Sequence, residues 1–198
     1  MNRPILCVFI VLFFYCIDSY SQILRFSGGI NNTWMDGNQF DTPCLTYTGS
    51  IGYDYLFDRD YHDWFYLSSE IGYIKRDGTD ALNGERLSRN YLHLNTLFKV
   101  RYSFENIILF AGIGPCVDYW VITGGQDKKT VFGVRPEIGL SYPLSDRVSL
   151  YFTTAYLRSL SGIMIEGEVL NNNSLMLTIG IGYRVKKKKI NYWHYSNL

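Results

Sequence analysis

The chain lacks a large net charge of either sign, a cluster of metal-ligating side chains and, beyond its first residues, any sustained helical periodicity. Its 19 lysines and arginines nearly balance 18 acidic residues, and the net charge of +1 gives no general attraction to nucleic acid. His62, His93 and His194 form no ligand cluster with cysteine or aspartate, so we predict neither a metal site nor a cofactor. Without helical periodicity, the remaining structure has to be built from strands.

The one nearly unbroken apolar run, residues 5–17, is typical of an export signal. Arg3 precedes the run, and Ser19, Tyr20 and Ser21 offer a small-residue cleavage site before Gln22. Because the run is shorter than the ~20 residues that a spanning helix needs, a signal peptide is favoured over a membrane anchor. We therefore predict a signal peptide at residues 1–21, a single domain at 22–186 and a short tail at 187–198.

Apolar or aromatic residues alternate with small or charged ones along most of the exported chain, as in a strand with two different faces. Aromatic residues are abundant, with 17 Tyr, 12 Phe and 4 Trp. The alternating blocks cover residues 24–34, 45–57, 64–75, 91–103, 107–120, 131–142, 147–160 and 175–186. Eight such blocks predict an all-β fold, an eight-stranded antiparallel up-and-down transmembrane β-barrel.

The predicted connections alternate between short and long. Residues 58–63, 104–106 and 143–146 form the short set, and 35–43, 76–90, 121–129 and 161–173 form the long set. Outer-membrane barrels have short turns on the periplasmic side and long loops outside. The pattern therefore predicts a bacterial outer-membrane location, with both ends of the domain in the periplasm.

Glycine and charge share one face of the predicted strands, which indicates that the charged face points inward. Small residues leave room for long charged side chains inside a narrow barrel, whereas many glycines would weaken a solvated outer face. The predicted interior network consists of Arg25, Asp54, Glu70, His93, Lys99, Arg101, Asp118, Arg135, Glu137 and Arg184. We expect a polar, side-chain-filled interior without an open pore; the reverse orientation would give a soluble ligand-binding barrel with an apolar interior.

Few residues suggest chemistry. His93, with Glu70 or Glu137 to orient it, is the one candidate for a lipid hydrolase, but an interior histidine in a polar network is the favoured interpretation. Cys44 and Cys116 fall on the second and fifth predicted strands, too far apart for a disulfide, so free thiols are expected. We predict no catalytic residues.

The C-terminal tail combines basic and aromatic residues. Its proposed contact residues are Lys186, Lys187, Lys188, Lys189 and Trp193. An exported chain does not meet nucleic acid, so anionic lipid headgroups or a periplasmic protein are the expected partners, with a solvated tail as the alternative.

Three short motifs carry a family resemblance. These are the Tyr-Ser-Gln cleavage region, Ala-Gly-Ile-Gly-Pro at residues 111–115 and Gly-Ile-Gly-Tyr-Arg-Val at residues 180–185. The chain resembles the small outer-membrane β-barrel proteins of Bacteroidota, the PorT-like group, over nearly its whole mature length. The resemblance implies a porin-like fold in the outer membrane and a non-enzymatic role as an envelope accessory, with a link to protein secretion. A surface-interaction protein and an outer-membrane lipid hydrolase are the other interpretations, and a monomeric barrel is expected.

Overall fold

The computed structural model describes residues 22–36, 42–56, 64–79, 86–121, 130–161, 163–165 and 168–185. Within these residues the strands are β1 (Gln22–Asp36), β2 (Cys44–Leu56), β3 (Phe65–Thr79), β4 (Arg86–Phe104), β5 (Ile107–Trp120), β6 (Thr130–Pro143), β7 (Val148–Ser159), β8 (Ile163–Ile165) and β9 (Glu168–Val185). In the same part of the chain, no helix is long and apolar enough to cross a membrane.

The strands close into a barrel. Each strand from β1 to β7 pairs antiparallel with the next, β7 pairs with β9, and β9 pairs with β1. The short strand β8 lies outside this ring and pairs with the start of β9, from Ile163 opposite Leu170 to Ile165 opposite Glu168. The predicted eight-stranded antiparallel barrel is therefore confirmed, because eight strands form the closed ring.

Strand β5 coincides with the predicted block, but the predicted long loop at residues 76–90 is wrong over most of its length. β3 continues to Thr79 and β4 begins at Arg86, and the two remain paired up to Thr79 opposite Arg86. The predicted loop at 161–173 likewise contains β8 and the start of β9. The predicted blocks end where the apolar alternation ends, whereas backbone pairing continues because polar side chains do not interrupt it.

The two ends of the barrel differ. At the short-turn end, Glu105 and Asn106 connect β4 to β5, and residues 144–147 connect β6 to β7. Gln22 and Val185, which pair with each other, lie at this same end. At the other end, called the long-loop end below, β1 to β2 and β5 to β6 are joined through stretches that lie outside the described residues.

The outer wall is apolar. Its exposed side chains include Ile51, Ile71, Phe98, Ile113, Ile138, Phe152, Leu177 and Ile179. Exposed Tyr102, Tyr142 and Tyr183 border this surface at the short-turn end. At the long-loop end, Tyr47 stacks on Tyr73 with ring centroids 5.8 Å apart, and Trp34 lies 6.1 Å from Tyr156. An apolar band between two aromatic rows is the surface that a bilayer requires, and it is the reverse of a soluble ligand-binding barrel.

Candidate functional site in the barrel interior

The middle of the interior holds an ion-paired layer, which we call the central charged layer. It consists of Arg25, Asp54, Glu70, Lys99, Arg135 and Glu137, all of them buried. Glu70 accepts hydrogen bonds from Arg25 and Arg135, each at 3.0 Å. Arg135 also contacts Glu137 at 3.2 Å, Lys99 pairs with Glu137, and Arg25 lies 3.9 Å from Asp54. Three cations thus face three carboxylates, which satisfies the requirement that buried charges be paired.

Glycines on neighbouring strands leave room for these long side chains. In the strand register, Arg25 lies between Gly52 on β2 and Gly182 on β9. A Cβ atom added at Gly112 would lie 2.6 Å from Cγ of Lys99. Any larger residue at such positions would compete for space with the charged layer, which explains why glycine and charge share a face.

His93 connects the central charged layer to Asp118 on β5. Its Nδ1 lies 2.5 Å from Asp118 Oδ1, and its Nε2 lies 3.0 Å from Asn95 Nδ2 and 3.2 Å from Arg135 Nη1. The Nε2 atom would have to act as the base in a hydrolase, but here it faces two nitrogen donors. With 3% exposure, His93 is also buried away from any lipid on the outer wall. The geometry is that of a structural histidine.

Apolar layers lie on both sides of the charged layer, which the sequence interpretation missed. The short-turn layer contains Ile23, Leu56, Tyr66, Phe110 and Tyr151, and the long-loop layer contains Ile74, Tyr91, Cys116, Val131, Ala155, Leu157 and Met176. Apolar side chains therefore lie on both sides of the central charged layer, together with further polar residues towards each end of the barrel. The signal was present in the sequence, since Tyr66, Phe110 and Tyr151 occupy inward positions of their strands.

Arg101 and Arg184 were also predicted to lie in the interior, and they occupy its short-turn end. Both are half-buried and line a cavity of about 20 Å³ together with Asp54, Tyr151 and other residues. A cavity of this size accommodates about one water molecule. The other eight predicted interior residues are buried within the barrel.

Two functional candidates at the long-loop end escaped the sequence interpretation, because they fell in the predicted loop at residues 76–90. Arg76 is buried and pairs with Asp118. Arg89 is also buried, and its Cζ lies 4.6 Å from the centre of the Trp120 ring. The continuation of β3 and β4 turns both side chains into the interior.

Several sequence predictions concern other parts of the chain. The signal peptide, the tail residues Lys186, Lys187, Lys188, Lys189 and Trp193, and both His62 and His194 lie outside the described residues. Cys44 and Cys116 are described, and neither forms a disulfide within the described residues.

Comparison with known proteins gives the fold. No family model matches the chain, and no curated protein matches it. Among solved structures, Neisserial surface protein A superposes with a TM-score of 0.60 at 12% identity, covering 84% of this chain and 100% of that one. The outer membrane protein OprG of Pseudomonas aeruginosa gives a TM-score of 0.58 at 13% identity, covering 85% and 97%. This chain has the fold of a small outer-membrane β-barrel. At such identities the likeness concerns the fold alone.

Proposed function

We propose that this protein is a monomeric, non-conducting and non-enzymatic barrel of the bacterial outer membrane, which presents its long-loop end for recognition. The observation that carries the proposal is the filled interior, where an ion-paired layer lies between two apolar layers. A filled interior removes transport as a task. The remaining role is that of a rigid scaffold. Binding residues commonly lie on the loops of such a scaffold, so we expect them at the ends of the barrel.

Membrane placement is supported by the apolar outer wall and by its aromatic borders at both ends. The test is fractionation of cells that express the full chain. We expect the protein in the outer-membrane fraction, resistant to alkaline carbonate and extracted only by detergent. Extraction by carbonate alone would contradict the proposal.

The absence of conduction is tested in planar bilayers. The purified full chain in detergent should insert without a sustained open state, because the central charged layer blocks the barrel axis. A long-lived channel in the unmodified protein would overturn this part of the proposal.

Recognition at the long-loop end is supported by the continuation of β3, β4 and β9 into an ordered rim on that side. Residues 80–85, which connect β3 to β4, can be replaced by Asn-Gly, a short hairpin turn. Crosslinking in intact cells should yield a partner that this variant loses. A matched control replaces Glu105 and Asn106 at the short-turn end with Asn-Gly and should keep the partner.

The PorT-like role is the second candidate. The pairing of Gln22 with Val185 puts the start of the tail at the short-turn end, which corresponds to the periplasmic side of an outer-membrane barrel. A secretion accessory acting through Lys186–189 and Trp193 should crosslink to envelope proteins through those residues, and a chain ending at Val185 should lose these crosslinks. Loss through residues 80–85 instead would favour surface recognition.

A further inference from the structure

Two buried arginines lie directly opposite each other at the long-loop end. In the ladder between β3 and β4, Arg76 pairs with Arg89, and their exposures are 1% and 6%. Like charges directly opposite in a sheet destabilise it, and burial increases the cost because water no longer screens them. A pair of this kind requires a compensating negative charge.

The described residues supply only part of that charge. Asp118 pairs with Arg76, but the same carboxylate also contacts His93. Arg89 stacks on Trp120, and none of the described residues forms an ion pair with it. The central charged layer has three cations for three carboxylates, whereas the described carboxylates that flank this cluster, Asp77 and Asp118, are shared with Lys75 and His93.

Both arginines also have nitrogen atoms without a hydrogen-bond partner. These are Nε and Nη1 of Arg76 and Nε and Nη1 of Arg89, all of them buried. Around them, Tyr91 lies with its ring 5.3 Å from Cζ of Arg76, and its hydroxyl group accepts a hydrogen bond from Asn172 at 3.3 Å. A guanidinium group presents its donors in a planar fork that suits the oxygens of phosphate or sulfate.

We propose that Arg76 and Arg89 bind a tetrahedral oxyanion, a phosphate or sulfate group that enters from the long-loop end. Within the described residues, the central charged layer and the short-turn layer fill the interior between this cluster and the short-turn end, so we place the entry of the anion on the long-loop side. This inference rests on the proposed function and gives the recognition end a ligand chemistry. The phosphate or sulfate group is either a free ion or an ester carried by a glycan. Both sources present the same oxyanion to the two arginines.

Trp120 provides the readout, because Arg89 stacks on it. The purified full chain in neutral detergent is titrated with inorganic phosphate, inorganic sulfate and glucose 6-phosphate, with chloride at equal ionic strength as the reference. We expect a saturable change in tryptophan emission with the oxyanions beyond that with chloride. The change should disappear in Trp120→Phe. Tighter binding of glucose 6-phosphate than of phosphate supports the site with an ester source, and equal binding supports it with a free ion.

Arg89→Gln should lower oxyanion affinity at least tenfold, as expected for the loss of one charge-assisted contact. Arg89→Lys, which keeps the charge but not the fork, should fall between Arg89→Gln and the unmodified chain. The matched control is Arg158→Gln, because Arg158 is exposed on the outside of β7 near the same end and should not affect affinity.

Stability separates a binding arginine from a structural one. In buffer without oxyanions, Arg89→Gln should unfold at the same or a higher urea concentration than the unmodified chain, because it removes a buried charge that no described carboxylate pairs with. Phosphate should raise the midpoint of the unmodified chain and leave that of Arg89→Gln unchanged.

The proposal is overturned if oxyanions act no differently from chloride, if Arg89→Gln binds phosphate as well as the unmodified chain, or if that variant loses stability in oxyanion-free buffer. These experiments use purified protein without a partner. A failure here leaves the crosslinking test of the recognition end intact, and a failure of crosslinking leaves the anion titration intact.

Discussion

The two faces of a single strand have opposite chemistry in this barrel. On β6, Glu137 and Ile138 are neighbours in the sequence, yet Glu137 is 3% exposed and Ile138 is 63% exposed. Glu137 contacts Lys99 and Arg135, whereas Ile138 belongs to the apolar outer wall. Side chains on the inner face have fixed partners at fixed distances, so both the charge and the size of each side chain matter there. In the membrane placement proposed above, the outer face meets only fluid acyl chains, so the size of its side chains matters less, but charge is costly.

The largest effect is expected when one partner of a buried ion pair is removed. Glu137→Leu leaves Lys99 without its carboxylate and weakens the pairing of Arg135, and should lower the free energy of unfolding by about 3–5 kcal/mol. Urea titration of the chain in lipid vesicles, read by gel mobility, measures this loss. The double variant Lys99→Met with Glu137→Leu removes one charge of each sign and should recover much of it. If the double variant were as unstable as the single one, size rather than charge would govern the inner face.

The next effect concerns charge on the outer face. Ile51→Arg puts a cation near the middle of the lipid-facing wall and should cost about 2–4 kcal/mol in the same vesicles. Tyr102→Arg is the control, because Tyr102 lies at the short-turn end, where the cost should fall to about 0–1 kcal/mol. Equal losses at the two positions would mean that the outer wall is not in contact with acyl chains.

A third test compares size on the two faces. A Cβ atom at Gly139 would overlap the Phe110 ring and the backbone oxygen of Phe152, so Gly139→Ala should cost about 1–3 kcal/mol. At Gly28 the nearest atom to an added Cβ is the Thr48 oxygen at 3.7 Å, an ordinary contact. Gly28→Ala should therefore change the urea midpoint little. If Gly139→Ala and Gly28→Ala lower the free energy of unfolding by the same amount, side-chain size does not matter more on the inner face than on the outer face.

The smallest effect is expected in a turn that belongs to neither face. Glu105 has a φ of 50°, in the left-handed region that side chains disfavour. Glu105→Gly removes this strain and should raise stability by up to about 1 kcal/mol. Asn106→Gly in the same turn is a control for added backbone freedom. A loss of stability in Glu105→Gly would show that the glutamate makes a contact stronger than the strain.

Sequence alternation predicted the strands of the barrel, because the period of two along a strand is a local property, and the glycines that share a face with the charges predicted which face points inward. It was less successful at the long-loop end, where Arg76 and Arg89 were assigned to a loop although they lie on paired strands. There the apolar half of the pattern stops, while the hydrogen-bonded ladder between β3 and β4 continues. The apolar layers of the interior were missed because inward aromatic residues such as Phe110 resemble outward ones in a simple alternation.

By itself, the sequence determined which residues share a face and that eight strands close a ring around small and charged side chains. Only the tertiary structure decided which cation meets which carboxylate, as with Arg25 and Glu70, which are 45 positions apart. It also decided that Asp118 serves both His93 and Arg76, whereas no described carboxylate pairs with Arg89. The physical reason is that the inward or outward direction of a side chain is set within one strand. Its ion-pair partner, in contrast, depends on the register of all the strands around the closed ring.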